Sequence, residues 1–214
     1  MKTGVLFDLD GTLLDTLEDL ADSVNHVLGQ FGYPLRRLDE IRRFVGNGVG
    51  ELIRQAVPDG VDAAPVLEAF CGYYADHCRE KTGPYEGILE ALTQIKQLYP
   101  VAIVSNKPDF AVKTLCAELF PGVYALGESA NCPRKPAADM VYQAMKAIGV
   151  ERCVYIGDSE VDVATAANAG VKCLSVLWGF RTRQELEQAG GVYFCSKPSE
   201  LSEGIKAILS LDGE

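Results

Sequence analysis

Short apolar runs recur along the chain, each closed by small, polar or turn-forming residues: Gly4 to Phe7, Val101 to Val104, Val123 to Leu126, Cys153 to Ile156, Cys173 to Leu177 and Val192 to Phe194. Runs so short and so continuously apolar predict strands buried on both faces. Helical spacing fills the gaps, at Gly87 to Leu98, Phe110 to Leu119, Ala138 to Ile148, Val161 to Ala169 and Arg183 to Ala189. This alternation predicts an α/β fold, a doubly wound parallel sheet covered by helices on both faces. It stops between Asp15 and Lys81, where Leu17, Leu20, Val24, Val27 and Leu28, then Ile41, Val45, Val49, Leu52, Ile53 and Ala56, keep helical spacing without an intervening strand. A small α-helical domain is therefore expected as an insert, residues 15–83, within a core built from 1–14 and 84–214. Its edges, Gly11 to Thr16 and Lys81-Thr82-Gly83-Pro84, are rich in turn residues and predict two hinges.

Composition agrees with this plan and narrows the partners. Apolar residues make up 48% of the 214, enough for one substantial core and a smaller satellite. A formal net charge of −10 argues against nucleic acid and against a membrane surface, both of which demand basic patches. No apolar stretch approaches the roughly 20 residues of a membrane span, and the run at Val5 to Phe7 is too short for a signal sequence. A cytoplasmic protein, monomer or homodimer, is expected. The seven cysteines show no CxxC spacing and read as reduced, mostly buried small hydrophobes.

An open, Rossmann-like sheet binds ligands beyond the carboxyl ends of its strands. The residues found there are Asp8-Leu9-Asp10-Gly11-Thr12, Ser105-Asn106-Lys107 and Gly157-Asp158-Ser159, with Asp162 a turn later and Arg134-Lys135-Pro136 between the third and fourth strands. Asp8 and Asp10, at i and i+2 of an extended segment, share a face and repel each other. Mg²⁺, held by Asp8, Asp10 and Asp158, is the compensating cation that an all-oxygen set prefers. The only histidines, His26 and His77, fall in the helical insert, which argues against zinc. Singly, each aspartate also reads as a turn or helix-cap residue, Ser105-Asn106 as a turn and Lys135 as a solvated cation. Together they supply the parts of phosphoryl transfer: Asp8 as nucleophile, Asp10 as acid and base, and Ser105, Asn106 and Lys135 as phosphate ligands.

The segments Asp8 to Thr12, Ser105 to Lys107, Lys135-Pro136 and Gly157 to Asp162 resemble, in order and spacing, the four motifs of the haloacid dehalogenase superfamily, over roughly Gly4 to Arg181. The helical insert resembles that family's cap domain. Phe44 to Val49 and Trp178 to Arg181 resemble the phosphoglycolate phosphatase branch. The resemblance implies Asp8 as nucleophile, Asp10 as general acid and base, and Mg²⁺ on the Asp8 carboxylate, the Asp10 carbonyl and Asp158. It implies Asp162 as the residue that orients metal-bound water or the lysine. Ser105 and Lys135 would hold the phosphoryl group, assisted by Asn106, Thr12 and backbone amides. Two positions depart from the pattern. Ala138 stands where the lysine motif usually has a second proline, and Glu86 stands where the second hinge usually has one.

Because that chemistry is generic to phosphate esters, the cap is expected to select the leaving group. Arg43 and Asn47, the latter between two glycines, are the candidates to meet a carboxylate, with Arg42 beside them. Each also reads as an exposed or loop residue, and Arg181 is balanced in the same way. The expected substrate is a small phosphorylated metabolite, foremost 2-phosphoglycolate. A phosphomutase, a pyrophosphatase or nucleotidase, and a non-catalytic metabolite sensor are the alternatives.

Overall fold

The structure, a computed structural model, describes residues 2–211; Met1 and 212–214, assigned above to the core, lie outside the described residues. In chain order the elements are β1 (Thr3–Phe7), β2 (Leu14–Asp15), α1 (Leu17–Gln30), α2 (Leu38–Phe44), α3 (Gly48–Ala56), α4 (Ala64–His77), β3 (Gly83–Pro84), α5 (Ile88–Leu98) and β4 (Val101–Pro108). They continue with α6 (Asp109–Leu119), β5 (Tyr124–Glu128), α7 (Asp139–Ile148), β6 (Arg152–Gly157), α8 (Glu160–Asn168), β7 (Lys172–Val176), α9 (Arg183–Gln188), β8 (Tyr193–Cys195) and α10 (Leu201–Ser210).

Six strands form one parallel sheet in the order β5-β4-β1-β6-β7-β8. Alternation along each strand feeds two cores. Val5, Phe7, Ile103, Val154 and Ile156 pack under α5, α6 and α10 on one face. Leu6, Ala102, Val104, Cys153 and Tyr155 pack under α7 and α8 on the other. The order of winding reverses between β1 and β6, so the chain diverges to opposite faces at the carboxyl ends of these two strands. A crevice forms at such a reversal.

The insert is helical, as its spacing predicts. Helices α1 to α4 enclose their own apolar cluster around Val24, Leu28, Ile41, Ile53, Phe70 and Tyr74. Two core residues, Ala111 and Phe180, complete that cluster, so the insert rests on the sheet edge by apolar contact. The two expected hinges pair with each other: Leu14 and Asp15 form an antiparallel ribbon with Pro84 and Gly83. Buried Asp19, in the first turn of α1, accepts the backbone N–H groups of Lys81 and Thr82 and fixes the return linker to the outgoing one.

Two features differ from the sequence reading. Strand β4 runs on to Pro108, so Ser105, Asn106 and Lys107 belong to the strand, with a register shift against β5 between Val104 and Pro108. These residues are polar because they wall a crevice. Helix α10 is also present, although no helix was expected there; Leu201, Ile205 and Ile208 carry the signal at helical spacing. All seven cysteines are free, and no helix among the described residues is long and apolar enough to cross a membrane.

Candidate active site

The crevice lies at the carboxyl edge of the sheet and is partly open to solvent. The core lines it with Asp8, Asp10, Ser105, Asn106, Lys107, Lys135, Asp158 and Ser159. Opposite stand Leu20, Val45, Gly46, Gly48, Val49, Leu52 and, from the core, Phe180. Of the residues expected to act, Asp8, Asp10, Ser105, Asn106, Lys135 and Asp158 converge here. Thr12, Asp162, Arg43 and Asn47 do not line the cavity.

Asp8 directly follows β1, and one of its oxygens, Oδ1, lies 2.8 Å from Lys135 Nζ. The same ammonium donates to Asp162 Oδ1 (2.8 Å) and to the Tyr155 hydroxyl (3.1 Å). Asp162 is saturated: its Oδ2 accepts from the backbone N–H of Asp158 and of Ser159 and from Ser159 Oγ (2.7 Å). Its part is to hold Lys135 and the start of α8 in place. Asp158 Oδ1 accepts the Thr12 hydroxyl (2.9 Å) and Oδ2 the Phe180 N–H (2.7 Å), so Thr12 serves Asp158 rather than the cavity. A Cβ at Gly11, where φ is +80°, would collide with this carboxylate, and one at Gly179 with the Asp158 side chain and the Gly11 carbonyl. Glycine is required at both positions for the loops to close around Asp158.

Carboxylate oxygens of Asp8, Asp158 and Asp162 all lie within 4.8 Å of one another. Burial, then the charges of Asp162 and Asp158, push the Asp8 carboxyl far above its usual range against the pull of Lys135. Burial and Asp162 raise Asp158 to about 7. Lys135 stays protonated, because Asp162 and Asp8 outweigh the burial that would lower it. With all three ionised, these carboxylates would face one ammonium and leave a deficit of two positive charges. One divalent cation would make good that deficit, and an all-oxygen, histidine-free set suits Mg²⁺. With Asp162 spent, Asp8 and Asp158 are the carboxylates left to hold it.

Asp10 faces a second ammonium. Lys107, fully buried on β4, donates to Asp10 Oδ1 (2.9 Å) and to the hydroxyl of Tyr74 on α4 (2.6 Å). Burial alone would lower this lysine, but Asp10 and Tyr74 prevail and hold it above the ordinary range. The sequence places Lys107 in the Ser105 to Lys107 segment without pointing to a role for it, and does not single out Tyr74 within the insert.

Ser105 Oγ accepts the Lys107 N–H (3.2 Å), and its own proton has no acceptor among the described residues. Asn106 has no donor to spare: its amide donates to the carbonyls of Lys135 (2.9 Å) and Gly46 (3.1 Å), and its Oδ1 accepts the Lys135 N–H (2.8 Å). It fastens the lysine loop to the insert.

The arginines divide by partner. Arg42 donates to the carbonyls of Phe180 (2.9 Å) and Gly179 (2.8 Å), while buried Arg181 donates back to those of Arg42 (3.0 Å), Arg43 (3.3 Å) and Val45 (2.8 Å) and pairs with Glu160. Arg181 thereby satisfies the carbonyls at the end of α2. Arg42 to Val45 and Gly179 to Arg181, distant in sequence, are the two halves of this clasp. Arg43 points away; its guanidinium engages Asp39 one turn back and its side chain is 65% exposed. Asn47 precedes α3, and its side chain makes no capping bond.

Comparison with known proteins identifies the family. The family model for haloacid dehalogenase-like hydrolases matches residues 5–176. A phosphoglycolate phosphatase of Pseudomonas savastanoi pv. phaseolicola is 34% identical over 190 residues, 82% of this chain and 70% of that one. One from Rhodobacter capsulatus is 33% identical over 85% of this chain and 87% of its own. The crystal structure of a candidate phosphoglycolate phosphatase from Lactobacillus delbrueckii subsp. bulgaricus superposes with a TM-score of 0.89 at 38% identity, over 96% of this chain and 99% of that one. The chain belongs to the haloacid dehalogenase-like hydrolases.

Proposed function

We propose that this phosphoric monoester hydrolase cleaves 2-phosphoglycolate, with Asp8 as nucleophile and Asp10 as acid and base. The observation that carries the reading is the separation of two neighbouring carboxylates onto two buried ammonium groups, Asp8 with Lys135 and Asp10 with Lys107. That separation gives them different tasks. The substrate comes from the relatives named phosphoglycolate phosphatase, similar along most of this chain.

In this mechanism Ser105 and Lys135 hold the phosphoryl oxygens, and an Asp8 oxygen attacks phosphorus as the ester P–O bond breaks. Asp10 gives its proton to the departing oxygen, and an aspartyl-phosphate remains. Asp10, now a carboxylate, takes a proton from water as that water attacks phosphorus. The P–O bond to Asp8 breaks, releasing phosphate and restoring both residues. Asp8, Asp158 and the Asp10 carbonyl would hold Mg²⁺, which would supply positive charge to the phosphoryl group. The insert, residues 15–83, acts as a cap over the core of 1–14 and 84–214, excluding water. A cytoplasmic setting belongs to the same reading.

The test is phosphate release with Mg²⁺ across 2-phosphoglycolate, pyrophosphate, nucleoside monophosphates and hexose phosphates. The highest kcat/KM is expected on 2-phosphoglycolate, with no bisphosphate activator. A better hexose phosphate or pyrophosphate substrate would overturn the substrate assignment, and no release from any ester would overturn the activity.

A further inference from the structure

We propose that Lys107 is the residue that reads an acidic leaving group, with its ammonium pairing to a carboxylate carried next to the ester oxygen. This deepens the 2-phosphoglycolate reading and rests on it for the substrate class.

The cavity has two cations among its lining residues, Lys107 and Lys135. Lys135 is anchored by Asp162 and Tyr155 at the Asp8 end, where the phosphoryl group goes. An ammonium has three N–H donors, and Lys107 spends one on Asp10 and one on Tyr74. No described residue takes the third. The leaving oxygen must approach Asp10 to be protonated, so a substituent one carbon away falls beside Lys107. The facing wall offers such a substituent no other charge: Leu20, Val45, Val49, Leu52 and Phe180 are apolar, Arg43 is turned to solvent and both donors of Asn106 are spent. A carboxylate enclosed there without a cation would be costly, whereas beside a desolvated ammonium it forms a charge-assisted hydrogen bond. Tyr74 comes from α4, so the insert sets the position of the cation even though it adds none to the cavity.

The experiment compares matched esters that differ only in the acid group: 2-phosphoglycolate against ethyl phosphate, and 2-phospholactate against isopropyl phosphate. The quantity is the ratio of kcat/KM for acid over neutral ester, in wild type, Lys107→Met and Tyr74→Phe, each checked for folding by circular dichroism. Wild type is expected to favour the acid in at least one pair. Lys107→Met is expected to lower that ratio roughly 10- to 100-fold, the worth of one charge-assisted hydrogen bond, and Tyr74→Phe several-fold. An equal loss on both esters would mean that Lys107 acts only through Asp10, and would overturn the inference. So would an unchanged ratio in either folded variant, or a wild type indifferent to the acid in both pairs. A wild type that favours 2-phospholactate but not 2-phosphoglycolate, with the preference lost in Lys107→Met, would refute the substrate and leave the role of Lys107 standing.

Discussion

The two walls of the cavity are made differently. The sheet edge contributes Asp8, Asp10, Ser105, Lys107, Lys135 and Asp158, every one bonded to another polar group, while the insert contributes Leu20, Val45, Val49 and Leu52 and the backbone of Gly46 and Gly48. One wall is polar and charged. The other is apolar and shapes the space without a charge of its own. Substitutions on the sheet edge should therefore abolish the reaction, and substitutions in the insert should change stability or substrate choice.

The largest effect is expected at Asp8. Asp8→Asn keeps the shape and removes the nucleophile, and with it one of three crowded carboxylates. Turnover should fall by at least about 10⁴-fold, while the metal-free variant melts no lower than wild type because burial and like charge oppose the Asp8 carboxylate. Phosphate release and thermal unfolding check both halves. Residual activity near wild type would move the chemistry off this wall altogether.

Next comes the metal, through its effect on folding. In the metal-free protein Asp158 titrates near 7 rather than at its ordinary 3.8, so between these values the folded state binds more protons than the unfolded chain. Stability should decline as pH rises through that window, and the buried charge should cost most above it. Mg²⁺ bound by Asp8 and Asp158 would remove this cost. At 100 times its Kd it should add about 2.7 kcal/mol, roughly 5–10 °C in Tm, at pH 8, and clearly less at pH 5.5 where protons compete. A shift that is absent, or equal at the two pH values, would contradict the assignment of Asp8 and Asp158 as the metal's carboxylates.

The same contrast explains what the sequence could tell. Asp8, Ser105 and Asp158 were legible because a parallel sheet sends the end of each strand to one edge, so position along the chain is position in the site. In a helical insert, function depends on which face each helix turns to the cavity, and that is settled by packing. Arg42 and Arg43 are neighbours in sequence, yet one grips the core and the other meets solvent. Tyr74 carries a hydroxyl that matters only because Lys107 ends beneath it. Thr12 and Asn106 sit in the motifs, but each spends its side chain on other residues of the framework.

A smaller effect is expected from the clasp. Arg181→Ala would strip the end of α2 of its donors and leave Glu160 unpaired. The loss should be about 2 kcal/mol, roughly 4–8 °C in Tm. KM should rise more than kcat falls, since the core wall is untouched. An unaltered melting temperature would show that apolar contact through Phe180 suffices to seat the insert.

The smallest effect belongs to Arg43, the cation that the sequence put forward for a substrate carboxylate. Its side chain is 65% exposed and bonded only within its own helix, to the carbonyl and carboxylate of Asp39. Exposed pairs of this kind contribute little, so Arg43→Ala should change stability by less than about 0.5 kcal/mol. The backbone carbonyl that Arg181 uses at this position is unaffected by the change. Activity on acidic and neutral esters should stay within about twofold of wild type, because a rim charge this well screened adds little at a buried site. A tenfold loss confined to acidic esters would show that Arg43 swings inward with substrate, and would shift recognition of the acid from Lys107 on the sheet edge to the insert.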